Sequence, residues 1–444
     1  MKTPIYDFVQ NYIQSNAARF HMPGHKGISF LGCEAGDITE IEGADVLYSP
    51  CDIIEQSELN ATSLFHTAHT FYSTEGSSLA IRAMLALVSE YSGDSQPLIL
   101  AARNAHKTFV NACALLDLRV KWMYPDNMHH VCDATITPRQ LQTILNNQAE
   151  RPSAVYITSP DYLGHISDVA GLSAVCDKFG IPLLVDNAHG AYLGFLRSSL
   201  HPIALGATVC CDSAHKTLPV LTGGAYLHIS KKAPVGYTQG ARKALSLFAS
   251  TSPSYLILQS LDLCNAYMEN GYRERLDECV QKVLQAKRYI AEQGFVVLDG
   301  EPLKIVLDAK KSGYTGIELA RVLKTYGIES EFSDPDFLVL MATPENSPSD
   351  FERLKVAFGE INPREPMSSV TEMVQESEMV LSLRWAILGQ SETISIDQAV
   401  GRICAAPMVA CPPAVPVVIS GERITQDHVR VMKYYGHEWI DVVK

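Results

Sequence analysis

Lys216 stands in the stretch Cys211-Asp212-Ser213-Ala214-His215-Lys216-Thr217-Leu218-Pro219, between an apolar run and the glycine pair Gly223-Gly224. A lysine flanked by small, hydroxyl and imidazole groups suits a solvated surface poorly and suits condensation with an aldehyde well. It must lose its proton to attack a carbonyl, and desolvation or a neighbouring cation lowers its pKa enough to allow that at neutral pH. Lys216 therefore reads as the Schiff-base lysine of pyridoxal 5'-phosphate, with Ser213 and His215 facing the cofactor phosphate. Taken alone, Ser-x-His-Lys also fits a polar loop lysine.

Other stretches offer the remaining parts of such a site. Ile181-Pro182-Leu183-Leu184-Val185-Asp186-Asn187-Ala188 is an apolar strand with an aspartate at its exit. A carboxylate there is costly unless it is paired, and a protonated pyridine nitrogen is the partner this cofactor supplies. Ala188 is small enough for a flat ring to lie against it. Gly76, Ser77 and Ser78 open a helical pattern, where free N–H groups at the positive end of the dipole can hold a phosphate; a plain N-cap is the alternative. His106 follows a short buried strand and could cover a cofactor ring, though a lone histidine is more often just packed. His21, His25 and Lys26 give the loop Phe20–Gly27 a cationic face suited to anions and are candidate substrate contacts; an ordinary turn is the alternative.

The elements that must position these residues alternate as strand, loop and helix, which predicts an α/β fold with a mainly parallel sheet. Helices are expected over 4–16, from 76 through 88, around 172–179, from about 256 to 292, near 316–326 and 349–359, and near 370–389 and 395–404. Strands are expected at 97–101, 154–158, 181–186, 207–211, 225–229, 303–308 and 337–341. Residues 37–50 and the chain end around 411–424 read as irregular. The predicted organisation is an N-terminal helix and arm (1–50), a large cofactor-binding domain (51–295), a small α/β domain (296–365) and a C-terminal domain (366–444).

Composition sets the outer bounds. With 444 residues, 47% hydrophobic and 19% charged, the chain can bury a sizeable core. A net charge of -13 without any basic block argues against nucleic acid or an anionic membrane surface as partner, and is compatible with a cationic substrate. No apolar run approaches the ~20 residues of a membrane span, and Met1-Lys2-Thr3-Pro4 does not begin a signal peptide, so a cytoplasmic location is expected. The 11 cysteines show no C-x-x-C pair. Cys210-Cys211 read as small residues of a buried strand, and reduced thiols without a metal site are expected.

Taken together, these stretches resemble the ornithine/lysine/arginine decarboxylase family of fold-type I pyridoxal-phosphate enzymes, in its shorter form. The resemblance runs from Phe20-His21-Met22-Pro23-Gly24-His25-Lys26-Gly27 to Gly421-Glu422. Its other specific blocks are Arg103-Asn104-Ala105-His106-Lys107, Val185-Asp186-Asn187-Ala188-His189-Gly190, Ser213-Ala214-His215-Lys216-Thr217-Leu218-Pro219 and Thr251-Ser252-Pro253-Ser254-Tyr255. It implies an aspartate-aminotransferase-like large domain, Lys216 bound to the cofactor, Asp186 on the pyridine nitrogen and His106 stacked on the ring. It implies phosphate contacts from Gly76, Ser77, Ser78, Ser213 and His215. Thr251 and Ser252 match a turn that reaches the neighbouring subunit's cofactor, which implies a homodimer or larger assembly with the site at the subunit interface. Glu422 matches the family's C-terminal Pro-Gly-Glu and would meet the cationic tail of a substrate; it also fits a cap on the Arg423 turn.

The implied activity is decarboxylation of a basic amino acid, arginine ahead of lysine and ornithine, releasing carbon dioxide and a polyamine-type amine. Lys216 or His215 would return a proton to the α-carbon. An aminotransferase or β-eliminating lyase on the same scaffold, and a non-catalytic homologue, stay open as alternatives. The chain departs from the family pattern at Glu75, Asn187 and Ser420, where asparagine, glutamate and proline are frequent. A receiver-like domain, carried by the large inducible members, is not in this sequence, so their decamers are not assumed.

Overall fold

Ile5 and Val9, four residues apart and fully buried, seat α1 (Pro4–Gln14). Pro4 suits the first turn because the N–H it lacks has no intrahelical partner there. A computed structural model describes residues 1–125, 134–368, 376–410 and 415–444. After the arm come α2 (Ile53–Phe65), β1 (His69–Ser73), α3 (Gly76–Tyr91), β2 (Leu98–Ala102), α4 (Lys107–Leu115), β3 (Arg119–Met123) and α5 (Pro138–Asn146). Then follow β4 (Ala154–Thr158), α6 (Val169–Phe179), β5 (Leu183–Asp186), β6 (Val209–Asp212), the single turn α7 (Ala214–Thr217), β7 (Ala225–Ile229), α8 (Val235–Ser246) and α9 (Tyr255–Glu269).

These strands form a seven-stranded, mostly parallel sheet in the order β1-β7-β6-β5-β4-β2-β3. Every residue of β2, β5 and β6 is buried, as strands covered on both faces require. β7 is the exception in direction. It pairs antiparallel with both β1 and β6.

The second half continues with α10 (Tyr272–Glu292), β8 (Val297–Leu298), β9 (Lys304–Asp308), α11 (Gly316–Thr325), β10 (Phe332–Ser333), β11 (Phe337–Met341) and α12 (Pro348–Glu360). The long helix expected over 256–292 is two helices, α9 and α10, broken at Gly271 with φ +68°. A four-stranded sheet, β10-β11-β9-β8, is antiparallel throughout.

The C-terminal region holds α13 (Leu383–Leu388), β12 (Ser391–Ser395), β13 (Met408–Ala410), β14 (Val415–Val418), α14 (Gln426–Tyr434) and β15 (Trp439–Val443). Three expectations need correction here. Of the helix predicted at 370–389 only α13 forms, capped by Ser382; positions 369–375 lie outside the described residues. The helix predicted at 395–404 shrinks to one 3-10 turn, Ile396–Gln398, because Ile403 and Cys404 instead make extended bridges to Arg423 and Val442. The end read as irregular contains β14, fully buried, while positions 411–414 lie outside the described residues.

Two compact units emerge: Met1–Ser95 with Ser153–Val155 and Val169–Glu274, and Gln96–Pro152 with Tyr156–Asp168 and Arg275–Lys444. The core of the second gathers Val306, Phe332 and Val339 with Val415, Val417, Ile424, Met432 and Ile440. Among the described residues no helix is long and apolar enough to cross a membrane.

Candidate active site

The exits of β5 and β6, adjacent and parallel with Asp186 paired to Cys211, carry the chemistry of the first unit. Asp186 is buried, and its Oδ1 accepts from Ala188 N at 3.1 Å and from the thiol of Cys211 at 3.6 Å. Ala188 thus lies in the turn that Asp186 itself ties. β6 delivers Ser213 and then α7, which bears half-buried His215 and Lys216. Lys216 Nζ lies 3.1 Å from His189 Nε2. His215 directs Nδ1 at the carbonyl of Gly224, 3.1 Å away, so that nitrogen carries a proton to donate.

The start of α3 faces Ser213. Ser213 Oγ donates to Ser77 Oγ at 2.6 Å, bringing two of the expected phosphate ligands together. The N-cap residue Glu75 makes no side-chain cap on α3, and Gly76 takes φ +73° with no heavy atom within 4 Å of where a Cβ would stand. Gly76 N donates to Gly223 O at 2.7 Å; a Cβ on Gly223 would stand 2.9 Å from Thr74 O, so glycine is needed for this approach. A helix start that Glu75 does not cap, open space above Gly76 and two hydroxyls fit a phosphate group, and a buried carboxylate beside a half-buried lysine fits a pyridinium aldehyde. Ser78 follows in the same first turn. Glu75, which precedes it, accepts from Ser250 N at 2.7 Å and so anchors the loop carrying exposed Thr251 and Ser252.

The arm residues make contacts of their own. His21 Nε2 bonds Tyr12 Oη at 2.6 Å, His25 Nε2 pairs with Asp37 at 3.2 Å, and Lys26 donates to His21 O. Their polar atoms knit the arm to α1 and to itself.

His106 and Glu422 belong to the second unit. His106 is the N-cap of α4, its Nδ1 accepting from Thr108 N at 3.1 Å, which leaves the neutral ring's proton on Nε2. Arg103, three residues before it, is buried and donates to the carbonyls of Pro416 and Val417 at 2.7 and 3.0 Å, tying the loop to β14. Glu422 is buried too and accepts from Ile419 N at 2.8 Å across the turn at Gly421. Burial pushes its pKa up, and the Arg103 guanidinium opposes the rise.

Two features escaped the sequence reading. His189 sits three residues past Asp186 in a quoted block, yet only the fold sets it against Lys216. Asp212 is a second carboxylate at a buried strand exit, and the argument made for Asp186 applies to it equally. Burial favours its neutral form, but His201 and His228, each 3.0 Å away, hold its pKa well below the usual carboxylate range.

Comparison with known proteins bears on the family and the fold. The family described as Orn/Lys/Arg decarboxylase, major domain, matches residues 3–307, and its C-terminal domain matches 367–437. The uncharacterized protein YaaO of Bacillus subtilis is 29% identical, covering 97% of this chain and 93% of its own length. An arginine decarboxylase of the same organism is 28% identical, covering 96% and 92%. The crystal structure of the Francisella novicida lysine decarboxylase LdcF superposes with a TM-score of 0.83 at 17% identity, covering 100% of this chain and 81% of that one. The chain belongs to the ornithine/lysine/arginine decarboxylase family of fold-type I pyridoxal-phosphate enzymes, in its short form.

Proposed function

We propose that this chain decarboxylates a basic amino acid, arginine ahead of lysine and ornithine, with pyridoxal phosphate held on Lys216. The observation that carries the reading is the pairing at the strand exits: buried Asp186 beside the turn that presents Lys216, with Lys216 Nζ 3.1 Å from His189 Nε2. Arginine stands first because the arginine decarboxylases among the relatives align over nearly their whole length at 25–28% identity.

When bound, the cofactor supplies an electron sink for the pair left by the departing carboxylate. The chain's own residues do the rest. Asp186 would face the ring nitrogen and keep it protonated, while Ser77, Ser78, Ser213, His215 and the first turn of α3, opening at Gly76, would hold the phosphate. Ala188 would lie against the ring, and the family resemblance implies that His106 would stack on it. Lys216 or His215 would return a proton to the α-carbon. His189 accepts from Lys216 Nζ and keeps that amine oriented. Thr251 and Ser252, exposed on a loop anchored by Glu75, reach the phosphate of a second copy, which makes a homodimer the working unit.

Purified protein with pyridoxal phosphate is expected to release carbon dioxide from one of arginine, lysine and ornithine, and Lys216→Ala to abolish that release. Keto acid or ammonia in place of carbon dioxide would overturn the reaction and leave the cofactor site standing.

A further inference from the structure

Asp212 ends β6 with its side chain fully buried, one residue before Ser213 and four before Lys216. Donors converge on both of its oxygens. Asn187 Nδ2 lies 2.7 Å and Cys210 Sγ 3.5 Å from Oδ1, while Nε2 of His201 and Nε2 of His228 each lie 3.0 Å from Oδ2. What stands behind the rings decides their protons. Ile203 N–H can only donate and meets His201 Nδ1 at 3.3 Å, so the neutral ring keeps its proton on Nε2, aimed at Asp212. His228 Nδ1 meets Thr70 Oγ1 at 2.9 Å, and that hydroxyl meets Thr67 Oγ1 at 2.8 Å. His201 thus donates to Asp212 through Nε2, and Nε2 of His228 stands at the same oxygen. His201, Cys210 and Asp212 also bring three metal-ligand atoms within 4.8 Å of one another, but each of these atoms is already engaged in this hydrogen-bond network.

The network spans the two strand exits. β5 and β6 pair as far as Asp186 and Cys211, and Asn187 N donates to Cys211 O at 2.9 Å. The bond from Asn187 to Asp212 extends that pairing by a side-chain link, directly between the residue after Asp186 and the residue before Ser213. We propose that Asp212 is a positioning residue for the cofactor site: through Asn187 it fixes the distance between Asp186 on one strand exit and Ser213 and Lys216 on the other, so that one ring can meet all three. The proposal rests on the reading of Asp186 and Lys216 as the pyridoxal-phosphate residues.

Titration of the purified chain with pyridoxal phosphate, followed by the visible band that Lys216→Ala lacks, tests it. In Asp212→Asn the new NH2 group must face donors at either position, the amide of Asn187 or the Nε2 atoms of the two imidazoles. Cofactor affinity is expected to fall about tenfold or more, with a displaced band. Asn187→Asp combined with Asp212→Asn restores a donor and an acceptor across the strands at the same total charge, and is expected to recover most of the affinity. Should Asp212→Asn fail to fold, Asn187→Ala, which leaves Asp212 and both imidazoles in place, is expected to show the same tenfold loss. A single variant that lowers the thermal midpoint while affinity and band stay at wild-type values would make Asp212 a core residue only. A folded double variant without recovery, or stoichiometric metal in the purified protein, would also overturn the proposal. Absence of any band in the wild-type chain would instead sink the cofactor reading beneath it.

Discussion

Asp186 and Glu58 are both buried carboxylates, and their surroundings assign them different work. Asp186 has a backbone N–H and a thiol for company and stands beside the lysine-bearing turn. Asp186→Asn keeps its shape and removes its charge, so carbon dioxide release is expected to fall on the order of a hundredfold while the chain still folds. Steady-state assays beside a thermal melt separate the two effects. Glu58 on α2 is saturated: Tyr72 N donates at 2.9 Å, Arg242 at 2.6 Å, and His69 Nε2 lies 3.1 Å away. Glu58→Ala strands the guanidinium and a strand N–H, with an expected loss of about 3 kcal/mol in unfolding free energy, measured by urea denaturation. That Lys216 and Asp186 could be picked out beforehand reflects chemistry written in neighbouring residues. The imidazoles on Asp212 could not, because His228 is brought to Cys210 by the antiparallel pairing of β7, and His201 by an irregular stretch with no period to read.

Asp262 on α9 shows one element terminating another. Its Oδ2 accepts from Ile5 N and Tyr6 N at 2.9 and 3.0 Å, in the first turn of α1, and its Oδ1 from Ser57 at 2.6 Å. Burial raises its pKa to about 6, with those three donors opposing the rise. The folded chain therefore holds this proton more tightly than the unfolded chain, whose aspartate titrates near 3.8. The site favours folding at low pH and loses that contribution as pH rises from about 4 through about 6. The stability of wild type relative to Asp262→Asn is expected to fall by about 3 kcal/mol across that window, measured by denaturant unfolding at several pH values. Elements were legible where burial was uniform and hidden where it was not. β5 and β6 are unbroken apolar runs, whereas α2 turns Ser57 and Glu58 inward and so masks its period. β3 carries exposed Arg119 and Lys121 in an alternating burial pattern at the end of the sheet order, which reads as loop. At 395–404 apolar residues at helical spacing pack from extended backbone instead, and helical periodicity alone cannot tell the two apart.

The arm of the first unit leaves Phe20, Phe30 and Leu31 at 97%, 77% and 89% exposure, unusual for large apolar groups clustered so closely in sequence. The backbone near them is fixed, since Glu34 accepts from the N–H groups of Phe30, Leu31 and Gly32. A homodimer would cover such side chains, and sedimentation equilibrium is expected to give twice the chain's mass, shifting toward monomer in a Phe30→Asp/Leu31→Asp variant. The cysteines bear on a different matter, the choice an aldehyde makes among the nucleophiles of a whole protein. Thiolates add to aldehydes, and two thiols stand at the very strand that leads to Lys216. Burial keeps both protonated, with Asp186 and Asp212 adding to the effect, and Cys113 behaves alike in its own core. The two thiols on the strand that leads to Lys216 are thereby held protonated, which would leave the Lys216 amine to meet the carbonyl of the proposed cofactor.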